Sequence, residues 1–182
     1  SLASPRAMKT FASRTTPPAG FYTSWKKWLP VMKAYEARTP AYFATPPTNL
    51  IYALHTSLKT ITEGPVSLAQ RFEKHREASQ RVKKGIENLG LEQLAQPDSR
   101  QNGVANGMTA VRYPQGFKAS DILPKMAQRG VVFGAGLHKD AKDEYFRIGH
   151  MGVSVVDPAR RDVDIILQKL EEALAEAGYQ KQ

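Results

Sequence analysis

The chain has 182 residues, 41% of them apolar and 24% charged, and no cysteine. That excludes a disulfide scaffold, a zinc–thiolate or iron–sulfur centre, a cysteine nucleophile and a disordered polyelectrolyte, and no apolar run nears the roughly 20 residues that cross a bilayer, so no membrane partner is expected. The net charge is +9, but Arg6, Lys9, Arg14, Lys26, Lys27 and Lys33 put +6 of it into an acid-free stretch over residues 1–35, and residues 36–182 carry 20 basic against 17 acidic side chains. So uneven a charge, without interleaved stacking aromatics, gives no expectation of a nucleic-acid partner. The acid-free start matches the composition of a targeting segment, yet Trp25, Trp28, Leu29, Val31 and Met32 read as packing residues. A first residue of Ser fits a processed chain or a piece of a longer one.

Residues 4–13 predict a short helix with Pro5 in its first turn. Thr15 to Gly20 is a break, and residues 24–37 predict a helix capped by Thr23 or Ser24 and interrupted near Pro30. Residues 38–47 are extended, because Pro40, Pro46 and Pro47 hold the residues before them out of the helical region. Leu50, Ile51, Leu54, Leu58 and Ile61 recur at helical spacing and predict an amphipathic helix over 48–63. Gly64-Pro65 separates it from a long helix over 65–89 that carries Leu68, Phe72 and Val82 and stops at Gly90. The cations on that helix alternate with Glu73, Glu77 and Glu87, as on a solvated face with charge pairs.

Beyond Gly90 the texture changes. Residues 91–95 predict a strand, 96–107 a polar loop, and 108–113 a second strand ended by Pro114-Gln115-Gly116. Ser120 is placed to cap a helix over 120–129, ended by Gly130. Val131-Val132-Phe133 predicts a strand followed by the glycines of 134–136, and Tyr145–Gly149 another. Asp157-Pro158 opens a last helix with Val163, Ile166, Leu167, Leu170 and Leu174 on one face. Helices first, then short strands mixed with helices, predict an α+β layer in which a small sheet is covered by helices.

Few residues carry candidate chemistry. Alternation along Tyr145-Phe146-Arg147-Ile148-Gly149 points Phe146 and Ile148 one way and Arg147 the other. A guanidinium on a strand suits bidentate recognition of a carboxylate, and an ordinary surface Arg satisfies the same pattern. Tyr42 and Thr45 place two hydroxyls on the proline-framed segment before a helix, which suits a phosphate and equally a packing Tyr and a capping Thr. His55, His75, His138 and His150 share no metal-ligand spacing, so no metal site is expected. His55 and His75 read as structural or exposed helix residues. His138 and His150 flank the Arg147 strand without an assigned role, and Gly134-Ala135-Gly136 is too short for a dinucleotide fingerprint.

Taken in order, several segments resemble one family. Tyr42-Phe43-Ala44-Thr45-Pro46-Pro47, His75-Arg76, Thr109-Ala110-Val111, Gly134-Ala135-Gly136-Leu137-His138-Lys139-Asp140 and Phe146-Arg147-Ile148-Gly149-His150-Met151-Gly152 look like the alanine–glyoxylate and serine–pyruvate aminotransferases. These are class V, fold-type-I enzymes that use pyridoxal 5'-phosphate. Trp28-Leu29-Pro30-Val31-Met32 and Tyr35-Glu36 look like the fungal branch. The resemblance implies a homodimeric enzyme that moves an amino group from alanine, or serine, to glyoxylate between small amino and keto acids. It implies that Arg147 binds the substrate carboxylate, and that Tyr42 and Thr45 bind the cofactor phosphate of the neighbouring subunit.

The family's Schiff-base lysine lies in an S-x-K-A element upstream of the segment that resembles Ser1 onward. The resemblance therefore implies no catalytic residue in this chain. It also implies a helical connector over 1–63 that closes the large domain and a small C-terminal domain over 64–182, with the catalytic large-domain portion absent. The chain on its own is then expected to be inactive; a non-catalytic interaction module built on this fold is the alternative. The expected location is intracellular, with cytoplasm, peroxisome and mitochondrion unresolved.

Overall fold

A computed structural model describes residues 3–95 and 104–181. It divides into two compact units, Ser1–Thr56 and Ser57–Gln182.

The first unit holds α1 (Pro5–Ser13), α2 (Trp25–Glu36) and the start of α3 (Thr48–Thr62). The Ser4 hydroxyl accepts from the Ala7 N–H and caps α1. The expected break at Pro30 does not end α2. Proline removes one helical hydrogen bond there, but Val31 next to it is 5% exposed and Trp28 packs edge-on against Phe43 at 5.1 Å, so burial on both sides outweighs the lost bond. Phe43 also lies 5.0 Å from Phe21, and the Lys27 ammonium sits 4.6 Å above the Phe21 ring, a cation–π contact. The predicted helical spacing in α3 is present, yet Leu50, Ile51, Leu54 and Leu58 are all exposed.

The second unit is an α+β layer. Three antiparallel strands, β1 (Met108–Arg112), β2 (Gly134–Ala135) and β3 (Tyr145–Gly149), lie in the order β1-β3-β2, so β3 is central. Around them run α4 (Leu68–Asn88), α5 (Ala119–Gln128), the single-turn α6 (Val153–Val156) and α7 (Asp162–Glu176). On one face of the sheet, Val111, Phe146 and Ile148 are fully buried with Val82 and Ile86 of α4, Ile122 and Met126 of α5, and Leu170 of α7. Phe146 stacks on Phe133 at 5.3 Å and tilts against Tyr113 at 5.4 Å. Ion pairs join the helices at their rims: Arg81 with Asp164 across α4 and α7, and Lys125 and Arg129 with Glu176 across α5 and α7.

Helices α4, α5 and α7 end alike. In each, the glycine two residues past the last helical position (Gly90, Gly130, Gly178) has φ between +73 and +88. The next residue's N–H returns to the carbonyl five positions back: Leu91 to Ile86, Val131 to Met126, Tyr179 to Leu174. These are Schellman caps, with the accompanying apolar contact made by the partners of the returning bond. At the other end of α4, Ser67 and Gln70 exchange side-chain and backbone hydrogen bonds in a capping box, so the helix starts three residues later than Pro65.

The caps explain several departures from the expected strands and starts. The N–H of Val131 is taken by its helix cap, so the ladder predicted for 131–133 begins instead at Gly134. Residues 91–95 run beside β1 through an isolated bridge between Gln93 and Val111 rather than a full strand. The polar loop predicted over 96–107 lies mostly outside the described residues. Helix α5 starts at Ala119 because the Asp121 carboxylate, not Ser120, accepts the first free N–H, from Lys118 at 2.8 Å. Asp157 accepts from the Ala159 N–H in a turn, so α7 opens at Asp162, with Asp162 and Asp164 at its positive end.

A small polar cluster is buried beside the core. His150 is 1% exposed, and its Nε2 lies 2.8 Å from the buried Thr109 hydroxyl. Burial pushes the imidazole below its ordinary value, and the Lys83 charge adds to this. The Lys83 ammonium, itself lowered by burial, donates to the Ser79 hydroxyl and the Ala105 carbonyl.

Two stability measurements follow. Phe146→Ala should lower the unfolding free energy by about 3–5 kcal/mol in urea titration, from lost transfer energy plus a cavity; a loss under about 1 kcal/mol contradicts the packing described. The folded state keeps His150 neutral, so the unfolded chain binds the extra proton and stability falls as pH drops below about 6.5. Replacing His150 with Gln should flatten the pH 7 to pH 5 limb by up to about 1.4 kcal/mol per pH unit; an unchanged slope contradicts burial of the neutral ring.

Candidate functional site

Arg147 occupies the middle of the central strand, opposite Ala110 on β1 and Gly134 on β2. Its neighbours Phe146 and Ile148 are fully buried on the opposite face, so the backbone beneath the guanidinium is fixed by the core. The Arg147 Nε donates to the Ala135 carbonyl at 2.8 Å. A Cβ on Gly134 would lie 2.8 Å from an Arg147 Nη and 3.0 Å from Cζ. Only a glycine lets the guanidinium lie across β2 in this way. Among the described residues no carboxylate forms an ion pair with Arg147, and neither Nη has a hydrogen-bond partner. The two outer nitrogens therefore face outward as a free fork.

Tyr145 and Gly149 share this face by alternation. Tyr145 is buried, and its hydroxyl accepts from the Leu137 and His138 N–H groups at 2.9 and 3.0 Å. Those two donors, helped by the Arg147 charge, favour the phenolate and pull the phenol below its ordinary range. The bonds pin the loop that follows β2 and thereby keep the Ala135 carbonyl under Arg147. On the other side, a Cβ on Gly149 would meet nothing within 4 Å, so the space beside the guanidinium is open.

The chain leaves β3 through a turn that is tied down twice. The His150 N–H donates to the Gly107 carbonyl at 2.9 Å. The Gly152 N–H donates to Nε2 of His75 on α4 at 2.9 Å. His138 is exposed in the loop, where its Nδ1 accepts from the Asp140 N–H, and His55 is exposed on α3.

The second element belongs to the first unit. Tyr42 and Thr45 are brought together, with their hydroxyl oxygens 3.2 Å apart. Tyr42 is 75% exposed while Phe43 beside it is half buried in the aromatic cluster. The Tyr22 hydroxyl donates to the Thr45 carbonyl at 3.0 Å and the Trp28 indole N–H to the Tyr22 carbonyl. The ring cluster and these two hydrogen bonds thus hold the segment while the Tyr42 side chain projects outward. Thr45 is not the helix cap, since α3 begins at Thr48. An exposed pair of hydroxyls on a pinned, extended backbone matches what two donors to one phosphate group require.

Sequence reasoning named Arg147, Tyr42 and Thr45 but not the residues that hold them. Tyr22 and Tyr145 carried no pattern beyond being aromatic. His75 was read as a helix residue. The signal available for Gly134 was its place in a glycine pair next to a strand.

No family model matches the chain. It is 40% identical over 135 residues to alanine–glyoxylate aminotransferase 1 of Saccharomyces cerevisiae, covering 74% of this chain and 34% of that protein. It is 26% identical over 178 residues to the alanine–glyoxylate aminotransferase of Felis catus, covering 98% of this chain and 41% of that protein. The crystal structure of an alanine–glyoxylate aminotransferase from Nostoc sp. superposes with a TM-score of 0.73 at 24% identity, over 94% of this chain and 42% of that one. The chain thus spans about two fifths or less of the proteins it matches. In sequence it belongs with the alanine–glyoxylate aminotransferase family, and its fold is that of the C-terminal portion of a fold-type-I aminotransferase.

Proposed function

We propose that the chain supplies the carboxylate clamp and the phosphate-binding hydroxyls of a pyridoxal-phosphate aminotransferase acting between alanine, or serine, and glyoxylate. The observation that supports this reading best is the Arg147 fork, fixed on the central strand beside open space, with neither Nη partnered among the described residues. Residues 1–63 form the connector and residues 64–182 the small domain of that enzyme, which works as a homodimer.

Pyridoxal phosphate, when bound, supplies the electron sink and the carrier of the amino group. Tyr42 and Thr45 would hold its phosphate, each hydroxyl donating one hydrogen bond, and would do so for the neighbouring subunit. Arg147 binds and orients. Its two outer N–H groups grip the carboxylate that amino donor and keto acceptor share, and the strand fixes the direction in which the 2-carbon is presented. The same clamp serves both half-reactions because both acids carry that group. Orientation is this chain's share of the rate; a lysine in the S-x-K-A setting is not among its residues. By itself the chain is therefore inactive in transamination.

Two measurements on the complete enzyme test the reading. Arg147→Ala should raise KM for both amino and keto acid by about 10–100-fold, because a charge-assisted pair of roughly 1.5–3 kcal/mol is lost; unchanged kinetics for both acids contradict the assignment. Tyr42→Phe combined with Thr45→Val should instead speed loss of cofactor on dialysis, followed by its absorbance, and leave the KM of cofactor-saturated enzyme within about twofold. Full retention of cofactor contradicts a phosphate role for the pair.

A further inference from the structure

We infer that His75 is a positioning residue for substrate binding: it latches the turn that bounds the open space beside Arg147. The inference rests on the reading of Arg147 as the carboxylate clamp and adds a residue on a different element.

The ring of His75 is fully committed. Its Nδ1 lies 2.6 Å from the Arg71 carbonyl and its Nε2 lies 2.9 Å from the Gly152 N–H. A carbonyl only accepts, so Nδ1 carries the proton. A backbone N–H only donates, so Nε2 is bare. One neutral tautomer satisfies both bonds, and any proton added to Nε2 breaks the bond to Gly152. The helical side of the latch is firm, since the Arg71 guanidinium donates to the Val66 and Thr60 carbonyls at 3.2 and 3.0 Å.

The other side is a glycine, whose carbonyl accepts from the Val155 and Val156 N–H groups and whose own N–H is left to His75. Gly152 has φ +70 and ψ −139, a conformation that side chains disfavour. It has no side chain to hold it, and a Cβ there would meet nothing within 4 Å. Glycine loses the most freedom when fixed, so an anchor at this position does the most to keep the turn in one shape. The His150 N–H holds the middle of the turn to Gly107, and His75 holds its end. Between these ties and Arg147 lies Gly149, on the guanidinium's face. A small 2-amino or 2-oxo acid clamped by Arg147 enters that space, and the turn is its wall. Without the latch the wall moves. Binding weakens while the reacting groups, which His75 does not touch, are unaltered.

The test uses His75→Leu, which removes both bonds, and His75→Gln, whose amide oxygen reaches about as far as Nε2 and can accept from Gly152. In this chain, amide exchange by NMR should show Gly152 protected, about tenfold faster exchange in the Leu variant, and protection restored in the Gln variant. In the complete enzyme, the Leu variant should raise KM for both acids about three- to tenfold with kcat within about twofold, and the Gln variant should recover most of it. Arg147→Ala in the same assay keeps the two ideas apart. If it leaves KM unchanged, the clamp reading fails and the substrate role of His75 with it. If it raises KM while His75→Leu does not, the latch is overturned and the clamp stands. Should the Leu variant not fold, the nitrogen spectrum of the wild-type ring decides: a proton on Nδ1 is required, and a proton on Nε2 overturns the inference.

Discussion

The guanidinium of Arg147 lying across the backbone of Gly134 is the contact on which the rest of the site depends. It needs a central strand whose other face is locked into the core, an absent side chain on the neighbouring strand, and a carbonyl at Ala135 to take the Nε proton. Each condition is met by a separate part of the second unit. Phe146 and Ile148 lock the strand, and Tyr145 pins the loop that carries the carbonyl onward. What remains is a cation whose two outer nitrogens have no partner among the described residues, held in direction as well as in place. An Arg on a loop supplies the same charge, but it pays the entropy of orientation at every binding event.

The two hydroxyls of the first unit follow the same design at lower cost. Phe43 is sunk among Phe21 and Trp28, and the residues on either side of it, Tyr42 and Ala44-Thr45, are carried out to where Tyr42 and Thr45 meet. In both units an aromatic side chain packed beside the functional residue supplies rigidity: the buried Phe146 next to Arg147 and the half-buried Phe43 next to Tyr42. Strand alternation provides this around Arg147; the prolines at 46 and 47 and the ring cluster provide it around Thr45. Half of the positive charge of residues 1–35, Lys26, Lys27 and Lys33, lies on α2, where Lys27 sits over Phe21. The charge is therefore a poor guide to partners.

Much of this was legible in the sequence because it is local. Helical spacing located α3, α4 and α7, the glycines at 90 and 130 marked the ends of α4 and α5, and alternation put Arg147 on the face away from Phe146 and Ile148. The errors came from groups already committed to another hydrogen-bond partner. Val131 looks like a strand residue, but its N–H is spent on the cap of α5. Asp157 looks like a helix cap, but its carboxylate is spent on the turn at Ala159. Pro30 looks like a break, but Val31 after it is buried and Trp28 before it packs against Phe43. His75 was unreadable for the same reason, since its partner Gly152 lies 77 residues away. Periodicity says which way a side chain faces; it does not say which backbone donor, far along the chain, needs an acceptor.

Gly134 makes room for the guanidinium, and Gly134→Ala in the complete enzyme removes that room. The added Cβ meets the far end of a flexible side chain rather than backbone, so the protein should fold with a melting temperature within about 3 °C of wild type while Arg147 swings off β2. KM for the keto acid should rise about tenfold or more in that folded variant. A folded Gly134→Ala enzyme with unchanged KM would contradict it.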